Sequence, residues 1–279
     1  KAQTTGGNNT AVGRTAGMSI TTGTDNVAIG YGALDACTTE SQNVAIGSAA
    51  LGAITDSGQN IAIGSYSLDG IVSGSINNTV VGYNAMTNMT DDADGNTGLG
   101  MNTGNGSSGG DNNTFLGFEA GYDANSPGGN PSSNSNRIYL GDDNVTNFYC
   151  QVSLTASSDK RDKTDVVDLD LGVDFLNKLN PVTYRWDKRG NYDDRIPTGG
   201  HKEDWLDVGF LAQDVAEVER SYGYDEDKNT SLTINVDDEK EQYGLKYEKF
   251  VPVLVKAVQE LSAEVEELKA QPKCKCQGD

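Results

Sequence analysis

The stretch "NVAIGYGALDACTTESQNVAIG", residues 26–47, opens and closes on the same five letters, 17 residues apart. The same unit, Asn followed by two small or apolar residues, an apolar residue and Gly, recurs outward in both directions. It reads "NTAVG" at 9–13, "NIAIG" at 60–64, "NTVVG" at 78–82, "NTGLG" at 96–100 and "NTFLG" at 113–117, with a degenerate "RIYLG" at 137–141. The closing glycines are Gly13, Gly30, Gly47, Gly64, Gly82, Gly100, Gly117 and Gly141, spaced 17, 17, 17, 18, 18, 17 and 24 residues apart. A fixed period in this range is the mark of a repeat architecture.

Within a unit the residues alternate as in a strand, Val27 and Ile29 to one side, Asn26 and Ala28 to the other. Asn and Gly bracket each strand as turn formers, and a second stub such as "ALDA" (33–36) follows. One unit has too few large apolar residues to bury a core alone, whereas stacked units do, which is the physical basis of a solenoid. The small residues Ala28, Ala45 and Ala62 allow neighbouring coils or chains to approach closely. The units resemble the repeats of trimeric autotransporter adhesin heads and of some phage tail fibres, over most of residues 5–121. The expected fold is therefore a trimeric β-solenoid or β-roll shaft over residues 1–150.

Past residue 150 the composition shifts. Of residues 1–157, 3 are basic and 13 acidic; of residues 158–279, 18 are basic and 28 acidic. The net charge of −20 leaves no Lys/Arg cluster to hold phosphates, so nucleic acid is not an expected partner. No apolar run reaches the roughly 18 residues that read as a membrane helix, so membrane insertion is not expected. Cys37 and Cys150 read as isolated small apolar residues, and Cys274 and Cys276 form a weak C-x-C at the end. With His201 as the single histidine, a zinc site of ordinary ligand spacing is not expected, nor is any other metal or cofactor. The loop "DDADGN" (91–96) lacks the ligand series and closing Glu of a calcium loop.

The second half reads as a small α+β module. "LGVDFLNKLNPVTYRWD" (171–187) predicts a short helix stopped near Pro181, then a strand through Val182, Tyr184 and Trp186. "VGFLAQDVAEVERSYG" (208–223) predicts a strand running into an amphipathic helix that ends at Gly223, and "SLTINVD" (231–237) another strand. Tyr247, Val251, Leu254, Val258, Leu261, Val265 and Leu268 then follow a 4,3 spacing, an a/d seam within a coiled coil over about 245–270. Glu260, Glu264, Glu266, Glu267 and Lys269 lie off that seam. This favours a self-associating helix over one packed on its own domain, because the Glu-rich remainder leaves little else to bury.

"SSDKRDK", "LNPVTYRWD", "GFLAQDVAEV" and "YEKFVPVLVKAVQELSAEV" together resemble the endosialidase-type intramolecular chaperones, the C-terminal self-cleaving domains of phage tail fibres and tailspikes, also present in the myelin regulatory factor. The likeness spans about 157–268. It implies residues 151–157 as a linker, Ser157–Ser158 as the scissile bond, Ser158 as nucleophile and Lys163 as general base, with Asp159 and Arg161 in support. The chemistry is sound, since a serine hydroxyl needs a neighbouring base and a lysine serves once its pKa falls. Five residues of helix turn about 500°, leaving Ser158 and Lys163 some 140° apart, and a strand puts them on opposite faces. The pair therefore requires a turn at 159–162 or a lysine from a neighbouring chain.

The resemblance further implies a homotrimer whose C-terminal domain sets register, and a place in the virion tail fibre, extracellular when mature and in the host cytoplasm during assembly. It also implies a host surface receptor, expected to be a glycan, and other tail proteins bound through a region preceding residue 1. A cell-surface adhesin, or a fibre that keeps its chaperone uncut, is the alternative. A polysaccharide hydrolase lacks a carboxylate constellation in residues 1–150, and a transcription factor lacks basic residues there.

Overall fold

The computed structural model describes residues 6–90, 92–123, 126, 131–236 and 242–271. Two compact units meet in the chain at Phe148–Tyr149. The first is a parallel β-solenoid whose eight three-residue strands form one sheet in sequence order. They are β1 (Thr10–Val12), β2 (Val27–Ile29), β3 (Val44–Ile46), β4 (Ile61–Ile63), β5 (Thr79–Val81), β6 (Thr97–Leu99), β7 (Thr114–Leu116) and β8 (Ile138–Leu140). Equivalent residues pair rung to rung, Ala28 with Ala45 and Ala45 with Ala62.

The unit's Asn explains this register. Asn26, Asn43, Asn60, Asn78 and Asn96 are fully buried. The Oδ1 of Asn43 accepts the backbone N–H of Asn60 at 3.0 Å, and that of Asn60 accepts the N–H of Asn78 at 3.0 Å. The chain of bonds runs from Asn9 Oδ1, which accepts the N–H of Asn26, to Asn113 Oδ1, which accepts that of Arg137. Each amide also donates to the loop that leads into the next strand, Asn60 Nδ2 to Ser75 O at 2.8 Å and Asn78 Nδ2 to Ala93 O at 2.7 Å. The side chain thus satisfies buried backbone groups that the three-residue ladder leaves open.

The closing glycines are required twice over. Gly64 has φ +135°, and a Cβ there would sit 2.1 Å from Gly82 O of the next coil. Conformation and close approach together restrict this column to glycine.

The alternation along the strand holds, but its outcome differs from a core built of the strands' large residues. The middle residue of each strand faces inward, and Ala28, Ala45, Ala62, Val80 and Phe115 are fully buried. The flanking aliphatics stay outside, with Val12, Ile29, Ile63, Leu99 and Leu116 all exposed. Large core residues come instead from the return segment, as one column of Leu34, Leu51, Leu68 and Met86 and another of Ile20, Cys37, Ile54, Ile71 and Met89. Cys37 is thus a rung of an aliphatic column, and burial pushes its thiol up to about 11. The expectation fails for Cys150, which is exposed. The loop 91–96 begins outside the described residues at Asp91; Asp94 Oδ1 in it accepts the N–H of Ile76 at 2.8 Å, as an inter-coil tie. Cys274 and Cys276 also lie outside the described residues.

Towards β8 the filling is exchanged between columns. Gly104 and Gly121 replace the Leu of earlier coils, and Phe115 enters the vacated space, with a Cβ on Gly121 falling 2.4 Å from its ring. Phe115 stacks on Tyr139 at 5.0 Å between centroids.

The second unit joins α1 (Val173–Lys178), the antiparallel pair β9 (Val182–Tyr184) and β10 (Asp207–Gly209), α2 (Ala212–Ser221), the pair β11 (Ile234–Val236) and β12 (Tyr243–Leu245), and α3 (Phe250–Ala270). Its core centres on Leu171, Phe175, Val215, Ile234, Phe250 and Val253. Glu219 of α2 is buried, and its carboxylate accepts the N–H and hydroxyl of Thr233 and the hydroxyl of Ser231, fixing the approach to β11. No helix among the described residues is long and apolar enough to cross a membrane.

Replacing Asn60 with Leu strands the buried N–H of Asn78 and the carbonyl of Ser75, a loss of about 2–5 kcal/mol. Chemical denaturation read on this unit checks it. Phe115→Ala should cost about 3–5 kcal/mol. Adding Gly104→Leu, in the left-handed backbone that Leu68 already adopts at φ 51°, should recover part of that loss in a double-mutant cycle.

Candidate active site

From Cys150 to Asp168 the chain is exposed along its length, Asp159 alone being half-buried. One local turn interrupts it. Asp159 leaves the chain extended (φ −66°, ψ 133°) and caps a short 3-10 turn, Lys160–Asp162, its carboxylate accepting the N–H of Arg161 at 2.9 Å. The Arg161 guanidinium folds back onto the same carboxylate, with Nη2 2.7 Å from Oδ2 and Nε 3.1 Å from Oδ1. Asp is suited to that cap because a short acceptor reaches a backbone donor two residues on. The turn closes when the Lys163 N–H donates to Lys160 O.

The closure carries Lys163 back to the residue before the turn. Lys163 Nζ lies 2.6 Å from Ser158 Oγ and 3.3 Å from Ser158 O. A turn at 159–162 therefore brings the two together within one chain, so the pairing needs no second chain. Ser157 precedes Ser158 in the exposed extended segment.

The electrostatics are those of an open site. The Arg161 guanidinium, by side-chain hydrogen bonds first and its backbone N–H second, holds the Asp159 carboxyl below the usual carboxylate range. Asp159 is thus committed to Arg161. Lys163 is exposed, and its Nζ donates to the serine hydroxyl. Val152, Leu154, Val166 and Val167 flank the turn at 73%, 82%, 76% and 86% exposure. They are apolar letters in the sequence, but nothing local marks them as uncovered. His201 packs its ring edge-on to Tyr192 in the loop between β9 and β10.

These geometries lie at the start of a segment with known relatives. Residues 158–224 match the family described as the chaperone of endosialidase. That family consists of self-cleaving intramolecular chaperones. The matched segment covers the Ser158–Lys163 turn, α1, the β9–β10 pair and α2; it ends at Tyr224, short of the 157–268 span of the motif resemblance. No curated protein and no solved structure matches the chain.

Beyond the matched segment, α3 has two faces. Phe250, Val253 and Ala257 are buried in the unit's own core, and Glu260 Oε2 accepts the N–H of Val173 at 2.8 Å, capping α1. The idea that the helix has little to bury besides its seam is thus corrected for its first half. Tyr247 lies in a 3-10 turn before the helix, where its hydroxyl accepts the N–H of Phe210. The a/d residues Val251, Leu254, Val258, Leu261, Val265 and Leu268 are 46–65% exposed.

Because the folded Asp159 carboxyl titrates below its unfolded value, the pair's contribution to the turn is present above the ordinary carboxylate range and lost as pH falls through the lowered value. Carboxyl NMR should show Asp159 titrating low in Ser158→Ala protein. In an added Arg161→Gln variant it should rise towards the ordinary range, the backbone N–H of residue 161 still holding it partly down, and the turn should loosen.

Proposed function

We propose that the chain is a phage tail-fibre protein whose second unit drives trimerisation and then frees the shaft by cutting Ser157–Ser158. The observation that carries this reading is the 2.6 Å contact between Lys163 Nζ and Ser158 Oγ at the head of the matched segment. Ser158 Oγ is separated from the Ser157 carbonyl carbon by its own Cβ, Cα and N, so attack closes a five-membered ring. Neutral Lys163 takes the hydroxyl proton as Oγ bonds to that carbon. The C–N bond then breaks, the proton passes to the departing amine, and Ser157 is left as an ester on Ser158. Water cleaves the ester, giving a carboxylate on Ser157 and a free amine and hydroxyl on Ser158. The charge on the carbonyl oxygen in this step is best stabilised where water is excluded.

The exposure of Lys163 makes the uncut single chain a poor catalyst. Covering the turn, and the four apolar residues beside it, by assembly would exclude water from the pair and start the cut. The unpartnered seam on α3 supports a threefold helical contact as the event that begins assembly. The shaft then attaches to a host surface, a glycan being the receptor class proposed, with other tail proteins bound upstream. Its place is the virion, reached from the host cytoplasm.

Expression of wild type beside Ser158→Ala and Lys163→Ala, read by denaturing gel and intact mass, tests the cut. Fragments of 157 and 122 residues are expected in the wild type alone. A full-length band in all three overturns the cleavage reading.

A further inference from the structure

The residue after each closing glycine belongs to a further column, outside the strands but in register with them. Ala49 N–H donates to Tyr31 O at 2.8 Å, Asn102 N–H to Tyr83 O at 3.0 Å and Glu119 N–H to Met101 O at 3.0 Å. From the second coil the column reads Tyr31, Ser48, Ser65, Tyr83, Met101 and Phe118. Its three rings, Tyr31, Tyr83 and Phe118, are 52–56% exposed. Tyr66, from the neighbouring column, meets Tyr83 edge to face at 6.2 Å between centroids. With rungs about 4.8 Å apart, these rings line a strip about 24 Å long.

A polar row runs beside the rings. Asn84 Nδ2 donates to Asn102 Oδ1, and Asn102 Nδ2 donates to Glu119 Oε1, each at 3.1 Å. A carboxylate only accepts, so Glu119 fixes the orientation of both amides. The row then presents acceptor oxygens at its two ends, Asn84 Oδ1 and Glu119 Oε2. Aromatic faces beside fixed polar groups are the make-up of a ligand site rather than of plain solvated surface.

We infer that this strip is a carbohydrate site, taking a neutral glycan chain laid along the solenoid axis. The inference rests on the host-attachment reading above and deepens it, giving the attachment a place and the glycan a charge. The C–H groups on one side of a pyranose ring carry partial positive charge and seat on the negative face of an aromatic ring. The hydroxyls at the edge of the sugar donate to Asn84 Oδ1 and Glu119 Oε2. Charge selects the class. No basic residue lies between Tyr31 and Phe118, so a sialylated, uronic or phosphorylated chain would meet Glu119 without a cation to offset it. A protein partner fits poorly, because a strip one side chain wide and interrupted by Ser48 and Ser65 has no closed apolar centre.

Full-length protein is applied to an array of bacterial surface polysaccharides, neutral and acidic, and of bacterial surface proteins. Wild type should bind neutral polysaccharides. Tyr83→Ala and Phe118→Ala should each lose about tenfold in affinity, as should Tyr83→Leu, which is apolar but has no ring face. Phe118→Tyr should keep binding, and so should Tyr149→Ala, which removes an exposed ring elsewhere. Thermal unfolding like that of wild type checks that each variant is folded. Neutral-glycan binding untouched by the strip variants overturns the site while leaving glycan attachment standing. Binding confined to acidic polysaccharides overturns the neutral class. Binding to a surface protein that the strip variants abolish overturns the carbohydrate in favour of a protein. Binding to nothing on the array overturns both the strip and the attachment reading. Failure of the cleavage reading shows separately, as uncut wild type on a denaturing gel.

Discussion

The buried asparagine ladder is the constraint on which the shaft depends. Three-residue strands give each coil little ladder of its own, and a coil of about 17 residues cannot enclose a core. Asn Oδ1 accepts the next coil's backbone N–H while Nδ2 reaches a carbonyl of the loop beyond, so each coil is tied to its successor at two heights. Once those groups are committed, the mid-strand residue is turned into the coil and the closing residue must be glycine. The aliphatic positions on either side are then turned out of the coil. Inner polar satisfaction and outer apolar exposure are two results of one pleat.

That trade sets what the molecule can do. The shaft carries aliphatic rungs at a fixed pitch on its surface, with Val12, Ile29, Ile63, Leu99 and Leu116 exposed. In the second unit, α3 exposes an apolar row of its own, from Val251 to Leu268. Its first half is anchored by Phe250, Val253 and the Glu260 cap on α1, so its seam is presented from a rigid base.

The Ser158–Lys163 turn is organised by short-range forces. Asp159 caps it, Arg161 holds Asp159, and the lysine returns to the serine without help from any packed element. Such a turn can form early and remain idle while solvated. Geometry and electrostatics are thus separable here: the chain supplies the first by itself, and the second changes when the apolar residues on both sides lose water.

Much of this was legible in the residues themselves. The phase of "NVAIG" along the chain determined the solenoid, its rung spacing and the alternation of faces, because a side-chain period of two is a local property of the backbone. "SSDKRDK" likewise left a turn at 159–162 or a lysine from a neighbouring chain, since neither regular element joins residues five apart. What only the tertiary structure decided was which alternate face becomes the inside. The Asn and the mid-strand residue face inward, and the core's large aliphatics come chiefly from Leu34, Leu51 and Leu68 in a return segment with no strand or helix period to reveal them. The same holds for Gly121 opposite Phe115, Glu260 over Val173 and Cys150 in solvent. Each depends on contacts between residues distant in the chain or on the lack of them, and no local pattern carries that information.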